Sequence, residues 1–289
     1  MSTLQISVVQ TTSSDLDPSV ATKAALDAVS AAAESGSKLI VLPELWTGLG
    51  LSTHRHADDI AADGVAAEAE LVAIAAKHDC YIVGSRYRAR EDGRLANAAA
   101  VIGPEGVVSV YEKTHLFDAA RRTDLTGAGA ETESDKVVAG TDLTPVPTPF
   151  GDLGITICSD LRFPEPYRVL AIRGARIIVN CSAFLAPRFD HWEFMLRTRA
   201  VENQVYVVGS GQFGTDAASG VGFVGRSMIV DPWGLVIATA SDRVGTVTTV
   251  VDLDLIDEVR HNYPLLEQRR PEMYSDLSAP VGADGLLPS

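Results

Sequence analysis

What the sequence has little of sets the first limits. It holds only 3 cysteines. Cys80, Cys158 and Cys181 stand at unrelated spacings, which suit neither a disulfide framework nor a zinc site. A reducing compartment, the cytoplasm, is the expectation. Basic residues are also scarce: Lys and Arg number 24 against 38 Asp and Glu, a formal net charge of -14. That balance argues against nucleic acid or an anionic membrane as partner. No apolar run reaches the length of a membrane-spanning helix. The start, Met1-Ser2-Thr3-Leu4-Gln5, lacks the basic region of a signal peptide. Repeats, low-complexity segments and linkers are missing too.

What is there suits one sizeable domain. The chain has 289 residues, 46% of them hydrophobic. Residues 4–10 alternate like a strand, 16–34 carry an Ala-rich helical pattern ended by Gly36, and 38–42 form an apolar strand closed by Pro43-Glu44. A second Ala-rich helix is predicted over 64–77. Strands follow near 80–87, 96–102 and 107–111, with a Gly103-Pro104-Glu105-Gly106 turn. The pattern lapses over 114–140, a polar stretch of a length that usually serves function. It resumes with strand pairing at 145–150, then a strand over 155–157, a helix over 165–172 and a strand over 176–180. Asp190 and Glu193 read as a capping box opening a helix to about residue 202. Strands at 205–209, 225–230, 235–240 and 246–251 and a helix over 252–260 complete the domain, and a polar tail runs over 263–289.

Three candidate residues close three predicted strands. Glu44 follows Leu39-Ile40-Val41-Leu42, Lys113 follows the strand over 107–111, and Cys158 follows Ile155-Thr156-Ile157. Ser159 and Asp160 are helix N-cap types, and Pro164 and Pro166 fit a first helical turn. The thiol is therefore expected on a strand-to-helix elbow, where backbone N–H groups favour a thiolate or an oxyanion. Strands lying side by side in one sense would bring the three residues to one rim.

Leu42-Pro43-Glu44, Tyr111-Glu112-Lys113-Thr114-His115-Leu116 and Cys158-Ser159-Asp160-Leu161-Arg162-Phe163-Pro164-Glu165 together resemble the ordered signature blocks of the nitrilase, or carbon–nitrogen hydrolase, superfamily. The likeness continues through Asn180-Cys181-Ser182-Ala183-Phe184, His191-Trp192, residues 197–203 and Asp231-Pro232-Trp233-Gly234, and is strongest toward the Nit-type amidases, including omega-amidase. It implies a four-layer α-β-β-α sandwich of two stacked mixed sheets, one domain over 1–289, and a homodimer or larger homo-oligomer with the 263–289 tail at its interface. It implies cofactor- and metal-free hydrolysis of a small carboxamide. Cys158 would attack the carbonyl, Lys113 and the Ser159 N–H would hold the oxyanion, and Glu44 would move the protons. A second glutamate belongs between Lys113 and Cys158, with Glu133 the better match and Glu131 its competitor. Arg162, Phe184, His191 and Trp192 are the substrate-binding candidates, and Arg162, Arg197 and Arg199 could meet a carboxylate of a dicarboxylic acid monoamide. Two departures bear on substrate fit: Ser159 stands where relatives of this branch usually carry Tyr, and Arg226 where they often carry His. N-carbamoyl hydrolysis, nitrile hydrolysis and a catalytically silent binding protein are the competing readings.

Other signals carry less. Gly220-Val221-Gly222-Phe223-Val224-Gly225 matches a dinucleotide fingerprint but leads into a strand, where that motif does not work. His54, His56, Asp58 and Asp59 fit no standard ligand spacing. A Cys–His dyad using His115 or His191 remains an alternative.

Overall fold

In the computed structural model the described residues are 2–14, 17–48, 57–118, 132–217, 219–279 and 285. The first sheet joins β1 (Thr3–Gln10), β2 (Leu39–Val41), β3 (Tyr81–Ala89), β4 (Leu95–Gly103) and β5 (Gly106–Glu112), with β13 (Gly245–Asp252) on the far side of β1. Strands β1, β2 and β3 run parallel, and β3, β4 and β5 form an antiparallel meander. Thus β5 points the same way as β2, and their C-terminal ends share one rim.

The second sheet repeats the plan. Strands β6 (Leu153–Ile157), β7 (Ile177–Ser182) and β8 (Tyr206–Gly211) are parallel, followed by antiparallel β11 (Met228–Val230) and β12 (Val236–Thr239). The sheets stack face to face: β1 and β2 lie over β8, β3 over β7, and β4 over β6.

The two-residue period of the strands sorts their side chains into layers. Ile6, Val8, Leu39, Val41, Val83, Ala99 and Val101 point inward to the core shared with the second sheet. Val9, Ile40, Leu42, Ile82, Ala100 and Ile102 point outward and pack on α1 (Pro18–Glu34) and α2 (Ala57–His78) through Ala25, Val29, Leu71 and Ala75. On the other side, α3 (Pro164–Ile172) and α4 (Phe189–Asn203) cover the second sheet. Gly209 lets α4 approach: a Cβ there would stand 2.7 Å from Leu196 and 2.9 Å from Trp192. This is the expected four-layer sandwich.

Several boundaries differ from the sequence expectation. Helix α2 starts at Ala57 rather than near residue 64. The pairing expected at 145–150 is a single bridge, Val146 to Leu153. Helix α4 has no capping box: Arg188 is its N-cap and makes no side-chain cap bond. The strand expected at 225–230 begins only at Met228, because Gly225 and Arg226 both adopt positive φ. Just before it, β10 (Gly222–Val224) pairs with β9 (Phe213–Thr215) in a small separate sheet. The glycine fingerprint therefore lies in a hairpin and not before a helix. Helix α5 (Asp254–Asn262) follows β13, and the tail forms short 3-10 turns at Pro271–Met273 and Ser275–Ser278. Among the described residues no helix is long and apolar enough to cross a membrane.

Candidate active site

Strand ends deliver the polar side chains. Glu44 lies in the turn after β2, where Leu45 takes a positive φ of 48° and donates its N–H to Ser85 Oγ at 3.0 Å. Lys113 directly follows β5 and is held by its N–H on Asn97 O at 2.9 Å. The chain returning from the loop presses on the same backbone at Gly140, where a Cβ would come within 2.3 Å of Glu112 O. Only glycine allows that approach.

Cys158 directly follows β6 and opens a 3-10 turn, Cys158–Arg162. Its φ is 44°, the left-handed region that costs a non-glycine residue on the order of 1 kcal/mol or more. Such an elbow lifts a nucleophile out of the strand and onto the first N–H groups of the following turn. Ser159 locks the elbow by donating its hydroxyl to the His115 carbonyl.

These elements bring the polar groups together. Lys113 Nζ lies 2.9 Å from Glu44 Oε1, and 3.0 and 2.8 Å from the two oxygens of Glu133. Lys113 is 2% exposed and Glu44 4%, so this ammonium sits between two carboxylates away from solvent. The second oxygen of Glu44 accepts the Ala183 N–H from the end of β7 at 2.9 Å. Glu44 thus spans both sheets. Glu133 Oε2 accepts the Phe117 N–H at 2.6 Å. Glu131 lies outside the described residues.

Asn97, on β4, is a member of the group that sequence reasoning missed. Its Nδ2 donates to Glu44 Oε1 at 2.8 Å and to Glu133 Oε1 at 3.2 Å. The only trace in the sequence is a lone polar residue in an Ala-rich strand.

Burial opposes the Lys113 charge, but Glu44, Glu133 and the Cys158 sulfur outweigh it and hold its pKa well above the ordinary lysine value. For Cys158 the balance goes the other way. Burial first, then the Glu44 charge, push the thiol up to about 12 against the pull of Lys113. Cys158 therefore rests as a protonated thiol beside a carboxylate, and any reaction at its sulfur needs a base.

The remaining candidates separate. Phe184 is buried under Arg162, whose Cζ lies 4.7 Å from the ring centroid. Trp192 is fully buried in the helix–sheet core, donating Nε1 to Arg226 O at 2.8 Å and backing Phe184 at 5.5 Å. It backs Phe184 and has no surface of its own open to a ligand. His191 is on the exposed side of α4, edge-on to Phe194, because one residue along a helix turns the side chain by about 100°. Arg197 bonds Gly234 O and pairs with Glu193, and Arg199 bonds Leu161 O and pairs with Glu202. Both hold α4 in place. Arg226 stacks over Phe189 and pairs with Asp242. His115 Nδ1 lies 2.8 Å from Asp160 Oδ1, and its ring stacks on Phe163, an arrangement that gives the Cys–His reading no support.

Cys80 and Cys181 are fully buried packing residues. His54, His56 and the Asp58 side chain lie outside the described residues. Among the described residues no cluster of three or more His, Cys, Asp or Glu is arranged to hold a metal ion.

Stacked mixed sheets with a Glu–Lys–Glu group beside an elbow cysteine define a class of hydrolase scaffold. The chain belongs to the carbon-nitrogen hydrolase family, which matches residues 5–261. Among curated proteins it is 32% identical over 279 residues to the mouse omega-amidase NIT2, covering 95% of this chain and 98% of that protein. It is 38% identical over 193 residues to human deaminated glutathione amidase, covering 65% of this chain and only 57% of that protein. Among solved structures it is similar to the Caenorhabditis elegans NitFhit protein, with a TM-score of 0.85 and 33% identity over 94% of this chain and 66% of that one. A Helicobacter pylori carbon-nitrogen hydrolase aligns with a TM-score of 0.84 at 25% identity, over 96% of this chain and 98% of that one.

Proposed function

We propose that the protein is an amidase that hydrolyses a small carboxamide to a carboxylate and ammonia through a thioester on Cys158. The observation that carries this reading is Lys113 Nζ within 3.0 Å of both Glu44 and Glu133, all next to a buried thiol. An amide carbonyl is a poor electrophile, so the site must supply a nucleophile, a proton carrier and charge stabilisation.

Glu44 takes the Cys158 proton as the sulfur attacks the carbonyl carbon. The oxyanion meets the Lys113 ammonium and the Ser159 N–H. When the C–N bond breaks, Glu44 passes the proton to nitrogen, which leaves as ammonia. Water then adds to the thioester, giving one proton to Glu44, and the C–S bond breaks to release the carboxylate and restore the thiol. Glu133 and Asn97 hold Lys113 and Glu44 in register throughout. Names among the relatives, omega-amidase and deaminated glutathione amidase, support amide hydrolysis over hydrolysis of a nitrile or carbamoyl compound.

Intact-mass spectrometry after mixing with a panel of amides tests the reading, with an acyl adduct on Cys158 and ammonia release expected. Absence of both across the panel would overturn it in favour of a silent binding protein. The proposal extends to a homodimer with the 263–289 tail at its interface, where Met273 and Leu277 are 67% and 70% exposed in the single chain. A monomer in sedimentation at micromolar concentration would count against that part.

A further inference from the structure

One hydroxyl beside the nucleophile differs from the other buried ones. Ser182, the last residue of β7, is 0% exposed, and its Oγ bonds to no nitrogen or oxygen of the described residues. The other wholly buried serine and threonine hydroxyls, on Ser7, Ser85, Thr156, Ser210 and Ser227, all have such a partner. An unpaired hydroxyl away from water is unfavourable and calls for an explanation.

Its place in the fold supplies one. The parallel register sets Ile157 against Cys181, so the next residues along, Cys158 and Ser182, stand at one level of the sheet's rim. The peptide that joins Ser182 to Ala183 is fixed at both of its polar groups. Its carbonyl accepts the Gln212 N–H at 2.9 Å, and its N–H donates to Glu44 Oε2 at 2.9 Å. Ser182 is thus anchored to the carboxylate that stands beside the thiol. Burial first and then the Glu44 charge push Cys158 up, while Lys113 and then the Ser182 hydroxyl pull it down. The sulfur is therefore the group on which Ser182 acts.

We propose that the Ser182 hydroxyl is a catalytic hydrogen-bond donor to the Cys158 sulfur, holding the thiolate when it forms and again when the thioester C–S bond breaks. Only the second of these events rests on the amidase reading. Proton transfer from Cys158 to Glu44 conserves the charge of the site but moves it. The negative charge leaves a carboxylate that accepts from Lys113, Asn97 and Ala183, and it arrives on sulfur. Lys113 is already bonded to both Glu44 and Glu133, and Arg162, the other cation that feels the sulfur, lies over the Phe184 ring. A hydroxyl meets the remaining need, because a donor binds a charged acceptor more strongly than a neutral one and so favours the thiolate over the resting thiol. Ser182 keeps its own proton throughout. The proton that moves is the one exchanged between sulfur and Glu44.

The test follows alkylation of Cys158 by iodoacetamide between about pH 7 and 9, read from the mass of the peptide that carries it. In that range, below the folded pKa of about 12, the rate rises with the thiolate fraction. The charges that face the sulfur, Glu44, Lys113 and Arg162, all remain in Ser182→Ala, which removes one oxygen and adds no bulk. Losing a hydrogen bond to a charged group should raise the thiol by about one to two pH units. The greater nucleophilicity of a more basic thiolate returns about half of that in log rate. Alkylation should therefore fall by about threefold to tenfold at every pH in Ser182→Ala, with the slope unchanged. Ser182→Thr keeps the hydroxyl and should stay close to the wild-type line. With an amide substrate, kcat and kcat/KM should fall together in Ser182→Ala. An Ala line that coincides with wild type would overturn the donor role. So would equal losses in the Ala and Thr variants, which would make Ser182 a packing residue, or a rise in KM at constant kcat, which would place the hydroxyl on substrate. Failure of the amidase reading would show differently, as no ammonia release from wild type while the wild-type and Ala alkylation lines remain apart.

Discussion

Tyr111 donates a 2.7 Å hydrogen bond to Asp160, and through this pair the lysine strand is tied to the cysteine elbow. Tyr111 lies two residues before Lys113 and Asp160 two residues after Cys158, so the bond fixes the spacing of the two reactive groups. Asp160 is fully buried. One oxygen also accepts the Ile157 N–H at 2.8 Å, and the other accepts Thr114 Oγ1 and the His115 N–H, each at 3.0 Å. Burial and then the Asp160 charge push the Tyr111 phenol far above its ordinary value, which keeps it a donor.

Replacing Asp160 by Ala strands several buried donors at once. Each costs about 1–3 kcal/mol if nothing relaxes, and partial rearrangement should leave a net loss of about 3 kcal/mol. Asp160→Asn, which keeps the shape, should lose less. Urea unfolding of the three proteins checks this. Matching midpoints for wild type and Asp160→Ala would show that the bolt is not structural.

Asn97 should matter to rate more than to substrate affinity. One amide nitrogen serves both carboxylates that flank Lys113, so Asn97→Ala frees them to shift by fractions of an ångström. Such displacement at a reacting centre costs about a hundredfold in rate. The expected outcome is a drop in kcat of about tenfold to a hundredfold with a smaller change in KM, and Asn97→Asp should do worse by adding a carboxylate where charge already repels. A rise in KM at constant kcat would place Asn97 in substrate binding instead.

Lys113→Ala and His115→Ala separate the two mechanisms open to a cysteine hydrolase. Removing Lys113 takes away the proposed oxyanion cation and leaves Glu44 and Glu133 facing each other in a buried site, so ammonia release should fall by about a thousandfold or more. His115 is spent on Asp160 and Phe163, so His115→Ala should weaken turnover by about tenfold through lost positioning. The reverse ranking would reinstate a Cys–His dyad.

Much of this arrangement was legible in the sequence because strand ends announce themselves. The apolar runs before Glu44, Lys113 and Cys158 place those residues at the C-terminal ends of β2, β5 and β6, and the parallel sense of β2 and β5 follows from a crossover and a meander. Side-chain direction was not legible. His191 and Trp192 are adjacent in sequence, yet one is exposed and the other lies in the core, and only the packing of α4 on Gly209 decides which. The Arg188 cap could not be read either, since Asp190 and Glu193 offered a better cap by residue type than the one the helix uses. Asn97 was hidden for a related reason: nothing in an Ala-rich strand says that its one amide will meet two carboxylates from other elements.

The buried thiols predict a fall in stability at alkaline pH. Burial, with the Asp79 charge adding to it, pushes Cys80 from 9.0 to about 11 in the fold, and burial together with Glu44 pushes Cys158 to about 12. A folded-state pKa raised above the unfolded one means that the native chain keeps its proton while the unfolded chain releases it. The associated stability is fully present below pH 9 and is lost as pH rises toward the folded values. The slope is about 1.4 kcal/mol per pH unit for each such thiol. Urea unfolding between pH 9 and 11 should therefore show falling stability in wild type, and a shallower decline in Cys80→Ala by about one thiol's share. Tyrosines and lysines also titrate in this window, so the difference between the two proteins is the decisive quantity. Parallel curves for wild type and Cys80→Ala would mean that the Cys80 thiol ionises in the fold as readily as in the open chain.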